Sequence, residues 1–202
     1  MTEQKRVTLA MTGASGVQYG LRLLDCLLMQ NVKVSLLLSA AAREVVRVET
    51  DVVLPDDVIA QKCFFIELAN CQPTLLDVYD VMDWHSPVAS GSGAPPLMVI
   101  CPCSAGTLSA VACGASNNLI ERAADVVLKE RHQLIMVPRE MPLSSLHLEN
   151  MLKLSNMGVT IMPASPGFYH KPDSVSDMVD FVVARIMDQL GVKQSLLTSW
   201  GK

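Results

Sequence analysis

The fold is decided by the stretch Val7-Thr8-Leu9-Ala10-Met11-Thr12-Gly13-Ala14-Ser15-Gly16. It begins as an apolar run of strand length and stops at a turn rich in glycine and serine. Apolar residues at helical spacing follow at once. This pattern predicts a strand, a tight turn and a helix, the first unit of an open α/β sheet. In such sheets ligands bind at the carboxyl ends of the strands.

The turn itself has the chemistry of an anion site. Gly13 and Gly16 let a ligand approach the backbone closely, the Ser15 hydroxyl can donate a hydrogen bond, and a helix N-terminus offers free N–H groups to a phosphate. The turn does not match the dinucleotide pattern G-x-G-x-x-G, however. Two interpretations therefore stay open, an anion-binding turn and a plain tight connection.

The composition predicts one domain over residues 1–202, with an irregular tail from about residue 191. Half of the residues are hydrophobic and only 18% are charged. No apolar run approaches the ~18 residues that a membrane span needs. The apolar excess is therefore expected to lie in the interfaces of a homo-oligomer.

Charge and cysteine usage exclude several function classes. A net charge of −4 gives no reason to expect nucleic acid or an anionic membrane as a partner. Residues 1–6 are polar and lack a signal peptide, so a cytoplasmic location is expected. The six cysteines include no C-x-x-C pair, and Cys101-Pro102-Cys103 has no matching His/Cys cluster, so no metal site is predicted.

The second predicted strand, residues 32–38, ends at Ser39. A sheet that binds NAD usually places an acidic residue here, so a serine favours a mononucleotide. A helix is predicted from Ala40 to Glu49, and an ordinary sheet would bring Glu49 close to the first turn. Glu49 is then either a site residue or a solvated acid.

Further strands are predicted at residues 75–81, 97–101, 134–137 and 159–162, and residues 55–74 are expected to be irregular with one short helix. Residues 83–96 are too small and flexible for a core segment and are predicted to form a long loop, in which Ser90, Gly91 and Ser92 could bind an anion. The turn at Ser104-Ala105-Gly106-Thr107 repeats the strand–turn–helix design. Later helices are predicted at residues 108–115, 117–131 and 144–158, and the last one begins after a capping box of Ser174 and Asp177.

Three later segments carry cations. Arg122 and Lys129 lie within about 20° of each other on the helix that Asn117-Asn118 can cap, which predicts either a phosphate site or two cations that Asp125 merely pairs with. Arg139 and Glu140 follow the fifth strand, between two prolines. A stiff loop presents Tyr169, and Arg185 falls at the edge of the last helix's apolar stripe, where it could lean over a cleft.

Over essentially its whole length the chain resembles the UbiX-type flavin prenyltransferases. The motifs that carry this resemblance are Met11-Thr12-Gly13-Ala14-Ser15-Gly16, Ala89-Ser90-Gly91-Ser92, Pro102-Cys103-Ser104, Asn117-Asn118-Leu119-Ile120-Glu121-Arg122-Ala123, Leu128-Lys129-Glu130-Arg131, Val137-Pro138-Arg139-Glu140, His147-Leu148-Glu149-Asn150-Met151 and Pro166-Gly167-Phe168-Tyr169.

The resemblance implies a fold and a reaction. The fold would be α/β, Rossmann-like (flavodoxin-like), with three layers and a mostly parallel central sheet. Trimers would assemble into a dodecamer with the flavin at a subunit contact. The enzyme would join a dimethylallyl group from dimethylallyl monophosphate to reduced FMN, without a metal. The product, prenylated FMN, would serve a partner UbiD-type decarboxylase, in many bacteria for ubiquinone biosynthesis.

The resemblance also implies roles for residues. The expected contacts to FMN are Gly13, Ala14, Ser15, Ser39, Ser104, Ala105, Gly106, Thr107 and Arg139. The expected contacts to the prenyl phosphate are Ser90, Arg122, Lys129, Tyr169 and Arg185. The expected catalytic residues are Ser15, Glu49, Glu140 and Lys129.

Two other functions stay open at this point. One is a flavin-dependent cysteine decarboxylase of the same fold, although that family's Pro-x-Met-Asn motif does not occur in the chain and His85 lies in a different local context. The other is a non-catalytic protein that binds or delivers FMN. Two tryptophans remain without an assigned partner: Trp84 could shield an allylic cation, and Trp200 could anchor the tail.

Overall fold

The computed structural model describes residues 4–198, and Trp200 lies outside them. Its centre is a six-stranded sheet in the order β3-β2-β1-β4-β5-β6, in which every pair of neighbours runs parallel. The strands are β1 Arg6–Met11, β2 Lys33–Leu38, β3 Leu76–Tyr79, β4 Leu97–Cys103, β5 Gln133–Pro138 and β6 Thr160–Ile161. The helices are α1 Val17–Met29, α2 Ala40–Glu49, α3 Val58–Ala69, α4 Ala105–Ala112, α5 Leu119–Lys129, α6 Ser145–Asn156 and α7 Val175–Gln189.

Helices cover both faces of the sheet, which gives the three layers expected from the sequence. Buried residues of α1, α2, α3 and α7 belong to one core cluster, and those of α4, α5 and α6 belong to the other. Neighbouring strand residues divide between the two: Leu9 and Leu36 face the first cluster, while Ala10 and Leu37 face the second. All four are fully buried, which explains why the strands read as continuous apolar runs.

The strand order places a switch point at the middle of the sheet. From β1 the chain winds outward through β2 and β3, and then returns to continue outward on the other side through β4, β5 and β6. The connections that leave β1 and β4 therefore go to opposite faces and open a crevice at their carboxyl ends. In open α/β sheets this crevice is where ligands bind.

Local signals in the sequence located several helix ends. The Asn118 side chain accepts the Glu121 N–H at 3.0 Å, and Ser174 forms the predicted capping box with Asp177. One segment differs from expectation, because residues 55–74 contain α3, a twelve-residue helix capped by Asp57. Its apolar residues are spread around the helix instead of along one face, so its sequence shows little periodicity. No helix within residues 4–198 is long and apolar enough to cross a membrane.

Candidate functional site

Glu49 lies at the first turn, where the sheet topology predicted it. Its Oε2 accepts the Gly16 N–H at 2.8 Å and the Val17 N–H at 3.3 Å, while its backbone carbonyl accepts from the Gln18 side chain at 3.2 Å. The carboxylate thus occupies the N-terminus of α1, where the helix dipole favours a negative charge. Glu49 is therefore an anchored group rather than a solvated acid.

Ser15 and Arg139 complete this cluster. Arg139 Nε donates to the Ser15 carbonyl at 3.2 Å, which joins the end of β5 to the first turn. Partial burial would raise the pKa of the Glu49 carboxyl, but hydrogen bonds from the Ser15 hydroxyl and the two backbone N–H groups, with the positive charge of Arg139, hold it below its ordinary value. The cluster therefore keeps Glu49 ionised beside an exposed serine.

The backbone of the first turn lies very close to α2. A Cβ atom added at Gly13 would lie 2.5 Å from the Ala41 Cβ, so only glycine fits there. The Ser39 side chain caps α2 by accepting the Ala42 N–H at 3.0 Å. The predicted residues Gly13 and Ser39 are thereby brought to the same edge of the sheet.

Thr12 links the carboxyl ends of β1 and β4. Its backbone N–H and its hydroxyl both donate to the Pro102 carbonyl, at 3.1 and 3.0 Å, and its Oγ1 accepts the Ser104 N–H at 2.8 Å. Ser104 in turn caps α4, because its Oγ accepts the Thr107 N–H at 3.3 Å. Gly106 is exposed, and a Cβ added there would meet no atom within 4 Å, so the start of α4 faces open space.

A second cluster joins α5 to the loop of Ser90, Gly91 and Ser92. Arg122 Nε donates to the Ala89 carbonyl at 3.1 Å, and the Ser90 and Ser92 hydroxyls are 3.2 Å apart. The structure therefore gathers Ser90, Arg122 and Lys129 on one side of the molecule. They lie in the layer of α4, α5 and α6.

The ion pairs on α5 differ from the sequence-based expectation. Asp125 pairs with Arg122 at 2.8 Å, but Lys129 pairs with its own neighbour Glu130. The hypothesis that Asp125 holds both cations is therefore wrong. A sequence gives little warning of this pairing, because adjacent residues on a helix do not normally face each other.

Tyr169 and Arg185 lie in the opposite layer. Tyr169 is about half-exposed and packs edge-on against Phe181 of α7, with ring centroids 5.6 Å apart. Arg185 pairs with Asp188 at 2.8 Å instead of leaning over a cleft. Because α7 and α5 cover opposite faces of the sheet, one chain does not bring these two residues together with Lys129.

Glu140 directly follows Arg139 and is exposed. Its Oε1 accepts the N–H of the next residue, Met141, at 3.2 Å. Trp84, in the loop before β4, is 43% exposed.

Sequence reasoning missed Thr12 and Glu130 as site residues, although a threonine at the end of a central strand is a signal for the first of them. Among residues 4–198, no group of three His, Cys, Asp or Glu side chains could hold a metal ion.

The comparisons with known proteins agree on one family. The family model described as Flavoprotein matches residues 1–187. The flavin prenyltransferase UbiX of Pseudomonas aeruginosa is 60% identical over 202 residues, which are 100% of this chain and 97% of that protein.

Two solved structures are also similar. AnUbiX in complex with FMN and dimethylallyl pyrophosphate has a TM-score of 0.87 and 36% identity, over 99% of both chains. A dodecameric FMN-dependent UbiX-like decarboxylase from Escherichia coli O157:H7 has a TM-score of 0.84 and 39% identity, over 98% of this chain and 100% of that one. By sequence and by fold, the chain belongs to the flavoprotein family and, within it, to the UbiX-type flavin prenyltransferases.

Proposed function

We propose that this protein transfers a dimethylallyl group from dimethylallyl monophosphate to reduced FMN. The observation that carries the proposal is the cluster of Ser15, Glu49 and Arg139 at the crevice between β1 and β4. It supplies a hydroxyl, an ionised carboxylate and a cation at the place where an open α/β sheet binds its ligand. The family supplies the chemical class, since relatives with this sequence pattern are flavin prenyltransferases.

The residues present fit FMN. The start of α4 faces open space at Gly106, and helix N-termini bind phosphate through their free N–H groups. Gly13, Ala14 and Ser15 border the crevice from β1, Ser39 from β2, and the segment Ser104 to Thr107 from β4. We assign these residues, with Arg139, to the flavin. The absence of an acidic residue after β2 favours a mononucleotide over NAD.

The donor phosphate would need residues from two chains. Ser90, Arg122 and Lys129 lie in one helix layer, while Tyr169 and Arg185 lie in the other. For one phosphate to contact both sets, the layer of α4, α5 and α6 in one subunit must face the layer that contains α7 in a second subunit. This supports a homo-oligomer with sites between subunits, and we propose the trimer-based dodecamer that the family resemblance implies. The α6 surface fits an interface, since Leu146, Leu148 and Leu152 are more than half exposed.

The reaction requires charge stabilisation and proton transfer. Reduced FMN supplies the nucleophile: a carbon–nitrogen bond forms as the donor's carbon–oxygen bond breaks, and a second, carbon–carbon bond then closes a ring. Cations and hydroxyls around the departing phosphate stabilise the charge that develops on it. Ring closure consumes the double bond of the attached prenyl group and a carbon–hydrogen bond of the flavin. The double bond takes up a proton from the released phosphate, and Glu140 or the phosphate takes up the proton that the ring carbon loses. Glu49, held beside Ser15, acts at the earlier step.

The product would pass to a partner enzyme. We propose that a UbiD-type decarboxylase receives prenylated FMN, and that ubiquinone biosynthesis is its pathway. AnUbiX was solved with dimethylallyl pyrophosphate. Each donor, monophosphate and pyrophosphate, therefore belongs in the assay.

The deciding experiment is anaerobic incubation of the protein with reduced FMN and each donor, followed by mass spectrometry of the flavin. A flavin heavier by one prenyl group, with release of phosphate, is expected from the monophosphate. Unchanged FMN with both donors would contradict the proposal and leave a flavin-binding protein. A parallel incubation of the FMN-loaded protein with a cysteine-containing peptide tests the alternative, because decarboxylation of the peptide would identify a cysteine decarboxylase.

A further inference from the structure

The contact between Lys129 and Glu130 lies at the C-terminal end of α5. Lys129 is the last residue of the helix, and its side chain forms an ion pair with that of the next residue. Glu130 also stands at the C-cap of α5, where the helix dipole disfavours a carboxylate. Departures of this kind are expected where a residue serves a site rather than the stability of its helix.

The pair lies directly against the backbone of Gly91. A Cβ atom added at Gly91 would lie 2.0 Å from Glu130 Oε1 and 3.0 Å from Lys129 Nζ. Only a glycine leaves room for the carboxylate and the ammonium at this point of the loop. Arg122 is fixed to the same loop, through the Ala89 carbonyl.

The contact favours the ionised form of Glu130. The hydrogen bond from Lys129, followed by its positive charge, holds the pKa of the Glu130 carboxyl below its ordinary value. Both side chains are partly open to solvent, 46% for Lys129 and 38% for Glu130. An arriving anion can therefore reach the ammonium without the pair being taken apart.

We propose that Glu130 is a positioning residue for the donor phosphate, holding the Lys129 ammonium against Gly91. The inference rests on the proposed function and adds to it a residue that does not itself touch the substrate. An ammonium has three N–H donors, so one can remain on Glu130 while the others face the phosphate. A lysine already held in place loses less side-chain freedom on binding.

The opposite effect is also physically reasonable, and the test separates the two. A carboxylate beside a phosphate site repels the ligand. If Glu130 does not position Lys129, its negative charge therefore only weakens the binding of the donor. Glu130→Ala would then lower the KM for dimethylallyl monophosphate. The positioning role requires the reverse, a KM raised about three- to tenfold with kcat changed less than about twofold.

The experiment compares Glu130→Ala with the conservative Glu130→Gln, whose amide oxygen can still accept from Lys129. We expect the KM of Glu130→Gln to lie between that of the unaltered protein and that of Glu130→Ala. Gly91→Ala should resemble Glu130→Ala, because the new methyl group displaces the flexible carboxylate. Glu44→Ala is the matched control: Glu44 is an exposed carboxylate paired with Arg47 on α2, in the other layer, and its loss should leave KM unchanged.

A double variant tests whether Glu130 acts through Lys129. In a Lys129→Ala background, Glu130→Ala should raise KM no further, whereas a full additional increase would overturn the inference. A lowered or unchanged KM in Glu130→Ala alone would also overturn it. Retention of FMN by every variant shows that the fold and the flavin site are intact.

The inference and the proposed function fail in different ways. The mass of the flavin made by the unaltered protein decides the function. If no prenylated flavin forms, the dissociation constant of dimethylallyl monophosphate, measured by calorimetry on FMN-loaded protein, replaces KM and must show the same order of variants. Absence of donor binding to the unaltered protein would overturn both.

Discussion

The Glu49 carboxylate accepts the N–H of Gly16, 33 residues earlier in the chain, at 2.8 Å. This hydrogen bond ties the end of α2 to the start of α1. It also fills, with a side chain of the protein, the helix N-terminus that commonly binds a ligand phosphate in sheets of this kind. The N-terminus of α4 stays open at Gly106. The first turn therefore contributes a protein carboxylate to the crevice, and α4 contributes the free N–H groups.

The Glu49 contact predicts a pH-dependent stability. The folded-state pKa of Glu49 lies below its ordinary value of 4.5, so the contact stabilises the protein fully above that pH. The stabilisation is lost as the pH falls through the folded-state pKa. Urea unfolding should therefore show that Glu49→Gln lowers the free energy of unfolding most near about pH 7 and least near about pH 3. A difference that stays constant over this range would contradict the assignment, and Glu149→Gln, at an exposed glutamate of α6, is the matched control.

Arg139 predicts an effect on flavin affinity. Its Nε donates to the Ser15 carbonyl, so Arg139→Ala removes a cation and loosens the first turn together. Loss of one charge-assisted contact costs about 1.5–3 kcal/mol, or roughly ten- to a hundredfold in the dissociation constant of FMN. Ser15→Ala, which removes an uncharged hydroxyl, should have a smaller effect. Fluorescence titration measures both, with Arg47→Ala on α2 as control, and unchanged affinity in both variants would show that the positions are misassigned.

Lys129 predicts an effect on the donor alone. Lys129→Ala should raise the KM for dimethylallyl monophosphate roughly ten- to a hundredfold, again the effect of one lost charge-assisted contact. The variant should still take up FMN, because Lys129 is not among the residues assigned to the flavin. Steady-state kinetics with FMN-loaded protein gives the answer. Full activity would mean that Lys129 only pairs with Glu130.

The opposite placement of α5 and α7 predicts complementation between two impaired variants. If each site takes Lys129 from one subunit and Arg185 from another, oligomers assembled from equal amounts of Lys129→Ala and Arg185→Ala contain some intact sites. Random assembly makes these about a quarter of all sites. The mixture, co-expressed and purified as one oligomer, should recover about that share of the unaltered activity. A mixture no more active than its parents would place the site within one chain.

Local sequence signals predicted the features that depend on neighbouring residues. The first strand, turn and helix, the cap at Asn118 and the capping box at Ser174 were all predicted from such signals. Glu49 was predicted close to the first turn for an ordinary sheet, and the structure places it there. The separation of Lys129 from Arg185 could not be predicted this way. It depends on the order of the strands, which decides the face that each helix covers.

Two features left no usable pattern in the sequence. The helix α3 is apolar around its circumference, so its residues show no helical period. The pairing of Lys129 with Glu130 depends on the space left by Gly91, which precedes them by 38 and 39 residues. Such contacts arise from the packing of a loop on a helix, and a loop of small residues carries no periodicity that would predict it.

The two acids at the crevice predict different defects. Glu49 lies beside Ser15 and is expected to act while the first bond forms, so Glu49→Gln should slow formation of the first adduct. Glu140 lies at the exposed end of β5 and is expected to take the proton released on ring closure. Glu140→Gln should therefore accumulate a singly attached prenyl-flavin adduct. Each substitution keeps the shape of the side chain and removes its charge, which limits effects on folding.

Single-turnover reactions under anaerobic conditions separate these outcomes. Mass spectrometry detects the attached prenyl group, and flavin absorbance distinguishes the open adduct from the closed ring, which has the same mass. Progress curves of both variants identical to those of the unaltered protein would remove Glu49 and Glu140 from proton transfer. A block at the same step in both would keep them in the site but assign them one shared role. A late block in Glu140→Gln alone, with an early one in Glu49→Gln, is the result that the positions of the two carboxylates predict. Two backbone N–H groups hold Glu49 beside Ser15 before any bond has formed, whereas Glu140 is exposed and accepts the N–H of its neighbour Met141.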